Sequence, residues 1–245
     1  MHHLRVDEWS RGSSYIHARD PRAKIAALLV FLVALATTPP ARSVRLFGLQ
    51  MLTYAAVLWI GSAAARLPAG ALEVRAMVVL PFTAIFAAIT WLAGDPSRAL
   101  LMFTKSYLSA LAVILVVATT PIPLLLRGLQ SLGAPRILVL IVQFLHRYLF
   151  VISEQAQHMR LAAACRQAGS KTRASAKFRA AAGAVSVLFA RSYNRAEGIH
   201  RAMLSRGFQG QFVDASKLRF SSADALFGAL FLIVICSLRL AFPVR

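Results

Sequence analysis

Ala76-Met77-Val78-Val79-Leu80-Pro81-Phe82-Thr83-Ala84-Ile85-Phe86-Ala87-Ala88-Ile89-Thr90-Trp91-Leu92-Ala93 runs for 18 residues without a charged side chain. A bilayer crossing needs about 20 predominantly apolar residues, within a range of roughly 17–25. This stretch meets that demand and carries Pro81 near its start. Four more segments share its character: about Ile25–Thr38, Leu46–Ala65, Tyr107–Leu126 and Ala223–Phe242. The first is short and stops at Pro39-Pro40, so its ends are expected to extend into flanking residues. The fourth ends around Pro121 and Pro123. Arg239, near the end of the last, can reach the interface with its long side chain.

Composition agrees. The 245 residues are 58% hydrophobic, with a mean hydropathy of +0.63. A soluble domain is typically about 45–50% apolar. The predicted fold class is therefore an all-α integral membrane protein of about five transmembrane helices, with long cytoplasmic amphipathic helices between the fourth and the fifth.

The net charge of +19 comes from 28 basic and 9 acidic side chains. In a soluble chain that excess would point to nucleic acid. Here membrane topology accounts for it, because cytoplasmic loops beside membrane helices are enriched in Lys and Arg. Residues 127–219 hold 15 basic side chains against Glu154, Glu197 and Asp214, which is +12 of the total. No nucleic-acid partner is expected. The division expected is a cytoplasmic N-terminal segment at 1–24, four membrane helices within 25–126, a cytoplasmic helical region at 127–219 and a last membrane helix within 220–245. Four spans put the N-terminus and the basic region on one side, and the charge makes that side cytoplasmic. The C-terminus would then lie outside.

The basic region reads as two long helices. The first runs from about Arg136 to Ala168. Ile137–Ile152 is strongly apolar, but Gln143, His146 and Arg147 interrupt it and the pattern continues into polar helix, so it is not read as a simple span. In the second, Phe178, Ala182, Val185, Phe189, Ser192, Ala196, Ile199 and Met203 recur in steps of three and four, one stripe along a helix. Arg179, Arg191, Arg195 and Arg201 lie off it. The stripe either packs internally or meets a partner. Gly169-Ser170-Lys171-Thr172 separates the helices, with Gly169 as a C-terminal stop. Each helix ends in an arginine near a glycine: Cys165-Arg166-Gln167 before Gly169, and Ser205-Arg206-Gly207. Aligning Arg166 with Arg206 also aligns Ala156 with Ala196 and Ala162 with Ala202, a faint echo of two similar ends.

Chemistry of its own is hard to find. Gly169-Ser170-Lys171-Thr172 resembles the tail of a phosphate-binding loop, but Ser170 stands between glycine and lysine and the earlier glycine is missing. His17, His146, His158 and His200 are scattered. Cys165 and Cys236 have no metal-ligand or disulfide spacing. No predicted span holds a carboxylate in its middle, the usual mark of an ion pathway. These absences weigh against a stand-alone channel or carrier and against a membrane-embedded enzyme. A surface scaffold on anionic lipid is a third rival. A coupling subunit that borrows its energy from partners fits best.

The chain resembles the transmembrane T component of energy-coupling factor (ECF) transporters, in the cobalt-type CbiQ-like family. His17-Ala18-Arg19-Asp20-Pro21-Arg22-Ala23-Lys24 resembles the family's His-x-Leu-Asp-Pro-Arg-x-Lys, with Arg19 in place of Leu. Arg147-Tyr148-Leu149-Phe150-Val151, followed by Glu154 and Met159, resembles the cobalt-type signature. Arg201-Ala202-Met203-Leu204-Ser205-Arg206-Gly207-Phe208 resembles the terminal Ala-Arg-Gly motif; Cys165-Arg166-Gln167 keeps only the arginine of its counterpart. The resemblance implies two cytoplasmic ABC-type ATPases docked on the helix ends, through Arg166 with Cys165 and through Arg206 with Ser205 and Gly207. It implies a separate metal-binding membrane subunit, the S component, held by the coupling helices, with Arg147, Tyr148, Glu154, Met159, Phe189, Ile199 and Met203 as contact candidates. A small accessory membrane subunit belongs to the same picture. His17, Asp20, Pro21, Arg22 and Lys24 form the N-terminal family motif, for which an ion-paired helix start is the plainer reading. Tyr148 and Trp91 read more simply as interfacial anchors or packing residues. The implied cargo is Co²⁺, with Ni²⁺ or a vitamin as alternatives. The chain itself is expected to bind no cofactor or metal and to catalyse nothing, and to lie in the cytoplasmic membrane of a bacterium or archaeon.

Overall fold

A computed structural model describes residues 9–38, 44–166, 174–210 and 221–241. All regular elements among them are helical. We number them α1 (Pro21–Ala36), α2 (Val44–Ala64), α3 (Ala69–Ala76), α4 (Leu80–Leu92), α5 (Pro96–Ala118), α6 (Ile122–Ser131), α7 (Arg136–Arg166), α8 (Ala174–Ser205) and α9 (Ser222–Ala241). A 3₁₀ turn at Met77–Val79 joins α3 to α4. The chain forms two compact units, residues 1–139 with 218–245, and residues 140–217.

Local chemistry sets the helix starts. Pro21, Pro96 and Pro123 each lie in the first turn of a helix, where a missing N–H costs nothing. Asp20 caps α1 by accepting the Arg22 amide at 2.8 Å. Such a cap supplies an acceptor to one of the otherwise orphaned first-turn donors.

Several expected boundaries are corrected. The third apolar segment was expected at Ala76–Ala93. It belongs to a continuous helical stretch, Ala69–Leu92, that begins earlier and takes in Glu73 and Arg75. Pro81 cannot donate to the carbonyl four residues before it, and the winding tightens to 3₁₀ at Met77–Val79. The fourth, expected at Tyr107–Leu126, instead runs Pro96–Ala118 and breaks before the separate α6. Pro96 starts it and Pro121 precedes the next helix. Lys105 therefore lies inside a membrane-length helix rather than before it. Arg136–Arg166, not read as a simple span, is one 31-residue helix with a window long and apolar enough to cross a membrane. The interrupting Gln143, His146 and Arg147 do not break it. The other candidates by length and apolarity are Ala69–Leu92, Pro96–Ala118 and Ser222–Arg239, with Gly48–Ala64 as a shorter apolar helix. At 16 residues, α1 reaches about 24 Å, short of the roughly 30 Å hydrocarbon core.

In the first unit α5 packs against α1, α2, α3 and α4, while α1 also packs on α6 and α9. The core centres on Phe31, Leu35, Tyr54, Leu58, Leu72, Leu108, Leu111 and Ile235. Phe31 and Tyr54 meet edge to face, 5.8 Å between centroids. The outward surface is just as apolar. No residue of α4 is buried, and Phe82, Ile85, Ile89 and Leu92 are all exposed. A surface of that kind is stable only against hydrocarbon or a partner.

Candidate functional site

The best-defined end among the long helices is that of α8. The Phe208 amide donates to the Met203 carbonyl at 3.0 Å, and the Gly207 amide to the Leu204 carbonyl at 3.0 Å. These are the two bonds of a Schellman motif. Gly207 takes the left-handed conformation it requires, with φ of 78°, where a side chain would be strained. Arg206 is thereby the last residue before the chain turns away, and it is exposed. Ser205 is exposed as well, its hydroxyl turned back to the Ala202 carbonyl at 3.0 Å. One turn earlier, Arg201 pairs with Glu197 at 3.2 Å.

Arg166 is the final residue of α7 and is exposed, as is the free thiol of Cys165. Gln167 and the expected stop at Gly169-Ser170-Lys171-Thr172 lie outside the described residues, as does the expected acidic side chain Asp214. Arg206 therefore stands at the C-terminal end of α8, while Arg166 is the last described residue of α7.

The coupling-helix candidates divide by exposure. Arg147 and Glu154 are exposed, while Tyr148, Met159, Ile199 and Met203 are half-buried. Tyr148 stacks on Phe144, 6.2 Å between centroids, and Arg147 lies 5.9 Å from the Tyr148 ring. Glu154 sits 3.9 Å from His158. On α8 the predicted stripe splits. Ser192, Ile199 and Met203 are half-buried, but Phe178 is 78% exposed, Val185 65% and Phe189 73%. The aromatic half of the stripe is exposed among the described residues.

The N-terminal motif proves to be a structural joint. Lys24 is buried and donates to the Thr119 carbonyl at 3.0 Å, the Thr120 hydroxyl at 2.9 Å and the His17 carbonyl at 3.3 Å. His17 is itself held between Ser14, 2.6 Å from Nδ1, and the Trp9 carbonyl, 2.9 Å from Nε2. The Asp20 amide donates to Asp224 at 3.2 Å. Asp224 also accepts from the Ser221 amide at 3.0 Å and lies 3.6 Å from Arg19. Pro21 packs on Gly128 of α6, where an added Cβ would come within 3.0 Å of the proline ring. Arg22 serves through its backbone amide, as the donor to the Asp20 cap. The motif so ties the start of α1 to the end of α5, the start of α9 and the face of α6.

Sequence reasoning did not foresee the roles of Asp224, Thr119, Thr120 and Lys105. Lys105 donates to the Ala36 and Thr38 carbonyls at 2.9 and 2.6 Å. Arg239 donates to the Thr37 carbonyl at 2.7 Å. Both cations cap the carbonyl end of α1, where positive charge is favoured. A charge inside an otherwise apolar run was the available signal. Among the described residues no three His, Cys, Asp or Glu side chains come together to hold a metal ion.

The family model for CbiQ, described as cobalt transport protein, matches residues 12–216. No curated protein matches the sequence.

Proposed function

The chain belongs to the CbiQ cobalt transport protein family, the transmembrane components of ECF transporters, and from that we propose that it couples two cytoplasmic ATPases to a separate membrane subunit that binds Co²⁺. Membership makes it a multi-pass membrane subunit of a transport complex with ATPase and S-component partners. The finer assignment of roles within that complex is our reading.

The observation that carries it is the Arg206 end of α8. A guanidinium stays charged and offers donors in a planar fork suited to carboxylates and helix-end carbonyls. A Schellman turn fixes where the helix stops, so the arginine is presented from a defined point. Arg166, the last described residue of α7, is exposed as well. Two such ends suit two copies of an ATPase, each receiving one arginine. The outward Phe178, Val185 and Phe189 would meet the S component, and a small accessory membrane subunit would complete the assembly. ATP would be hydrolysed by the partners, with no cofactor on this chain, in the cytoplasmic membrane of a bacterium or archaeon.

The test is Arg206→Glu, with Arg166→Glu beside it, in the assembled complex. ATPase co-purification and ATP-driven cobalt uptake should be lost while the membrane unit melts as in the wild type. Normal uptake by both variants would refute the coupling role.

A further inference from the structure

Three consecutive carbonyls at the end of α1, those of Ala36, Thr37 and Thr38, take their donors from other helices. Lys105 of α5 supplies Ala36 and Thr38 at 2.9 and 2.6 Å. Arg239 of α9 supplies Thr37 at 2.7 Å and the Thr38 hydroxyl at 3.2 Å. At the start of α1 the same two neighbours are engaged again. Lys24 donates to the Thr119 carbonyl just past α5, and the Asp20 amide to Asp224 in the first turn of α9. So α1 is fastened to α5 and to α9 twice, at points separated by the length of a 16-residue helix, about 24 Å.

The bonds at both ends are of a kind that resists opening. Asp20, Lys24, Thr38, Thr119 and Asp224 are buried, and Lys105 lies well inside a membrane-length helix. In hydrocarbon a carbonyl released from its donor finds no water to replace it, and a cation released from its acceptors is no better placed. A partnered polar network at low dielectric holds its members in one arrangement. Between the two ends the contact is apolar, through Phe31, Leu35, Leu108, Leu111 and Ile235. Apolar faces alone would let the helices slide or splay. A splay of about 10° over α1 would carry its free end by about 4 Å. That is enough to absorb the shifts of about 1–2 Å by which packed helices pass on a change.

We propose that Lys105 and Arg239 are positioning residues for transport. With the joint at Lys24 and Asp224 they make α1, α5 and α9 one rigid body, so that a displacement at one end reaches the other. The transport part rests on the coupling role proposed above; the rigid body does not.

Spin labels at Val33→Cys on α1 and Ile233→Cys on α9, both exposed positions, read the rigid body in the purified full chain, with Cys165 and Cys236 replaced by serine. The wild-type background should give one narrow distance distribution. The double variant Lys105→Met, Arg239→Met should broaden it. The conservative pair Lys105→Arg, Arg239→Lys, which keeps both charges and their donors, should not. In the assembled complex the methionine variant should still co-purify with the ATPases and hydrolyse ATP at the wild-type rate, while cobalt uptake per ATP falls by about fivefold. The conservative pair should restore that uptake. A broad distribution in the wild type, or a narrow one in the methionine variant, would overturn the rigid body. Wild-type uptake per ATP in the methionine variant would overturn the positioning role. A wild-type complex without ATP-driven uptake would refute the coupling reading and the positioning role with it, while the distances still decide the rigid body.

Discussion

Lys24 places its ammonium 3.0 Å from the main-chain carbonyl of Thr119, 95 residues further along the chain. That carbonyl is at the end of α5, where the helix has left it without an intrahelical partner. Lysine serves as its donor, and the same amine holds Thr120 and the His17 carbonyl. One side chain thereby closes a helix end, begins another and offsets the buried carboxylates Asp20 and Asp224.

Lys24→Met should therefore cost about 3–5 kcal/mol, the range for removing one partner from buried ionic groups. Asp224→Ala should be comparably damaging, since it strips the Asp20 amide, the Ser221 amide and Arg19 of one shared acceptor. Thermal unfolding in detergent reads both. The double variant should lose less than the sum, because both changes dismantle one network. Wild-type melting of Lys24→Met would show that the joint contributes nothing.

Gly128→Val tests the contact between α6 and α1. A Cβ there would lie 3.0 Å from the Pro21 Cβ and 3.1 Å from the Ile25 Cδ1. Overpacking of this kind costs about 1–3 kcal/mol. A lowered melting temperature is expected, and an unchanged one would mean that α6 moves freely off α1.

Gly207→Val should loosen the end of α8 without unfolding the membrane unit. Its φ of 78° costs an L-residue about 1–2 kcal/mol. Hydrogen exchange at the Gly207 and Phe208 amides should accelerate, and capture of the ATPases should weaken. Unchanged exchange would show that the Schellman bonds persist with a side chain in place.

Phe189→Asp separates packing within this chain from contact with a partner. Phe189 is 73% exposed, so the isolated subunit should be as stable as wild type to within about 0.5 kcal/mol. Co-purification of the metal-binding membrane subunit should fall. A loss of stability in the isolated chain would assign the residue to internal packing.

The helical membrane class, the approximate places of the apolar helices and the arginine-bearing end of α8 were legible in the sequence. Apolar length and the Arg-Gly ending are local signals, and local signals survive folding. The boundaries near Pro81 and around Lys105 were not. A proline or a charge reads as an interruption in one dimension, yet Lys105 sits inside α5 because the Ala36 carbonyl of α1 and the Thr38 carbonyl just beyond it accept its hydrogen bonds. The stripe on α8 was visible as periodicity, but only the structure separates its exposed aromatic half from its half-buried end.

By itself the sequence determined that this chain lives among lipids and that its basic region forms long helices, the second stopping at Arg206-Gly207. Those properties follow from side-chain transfer energies and from backbone rules at glycine and proline, which act over a few residues. Tertiary structure alone decided what Asp20, Pro21 and Lys24 meet. Their partners, Asp224, Gly128 and Thr119, lie about a hundred to two hundred residues away, and no local pattern encodes which distant helix end will supply the missing donor or acceptor.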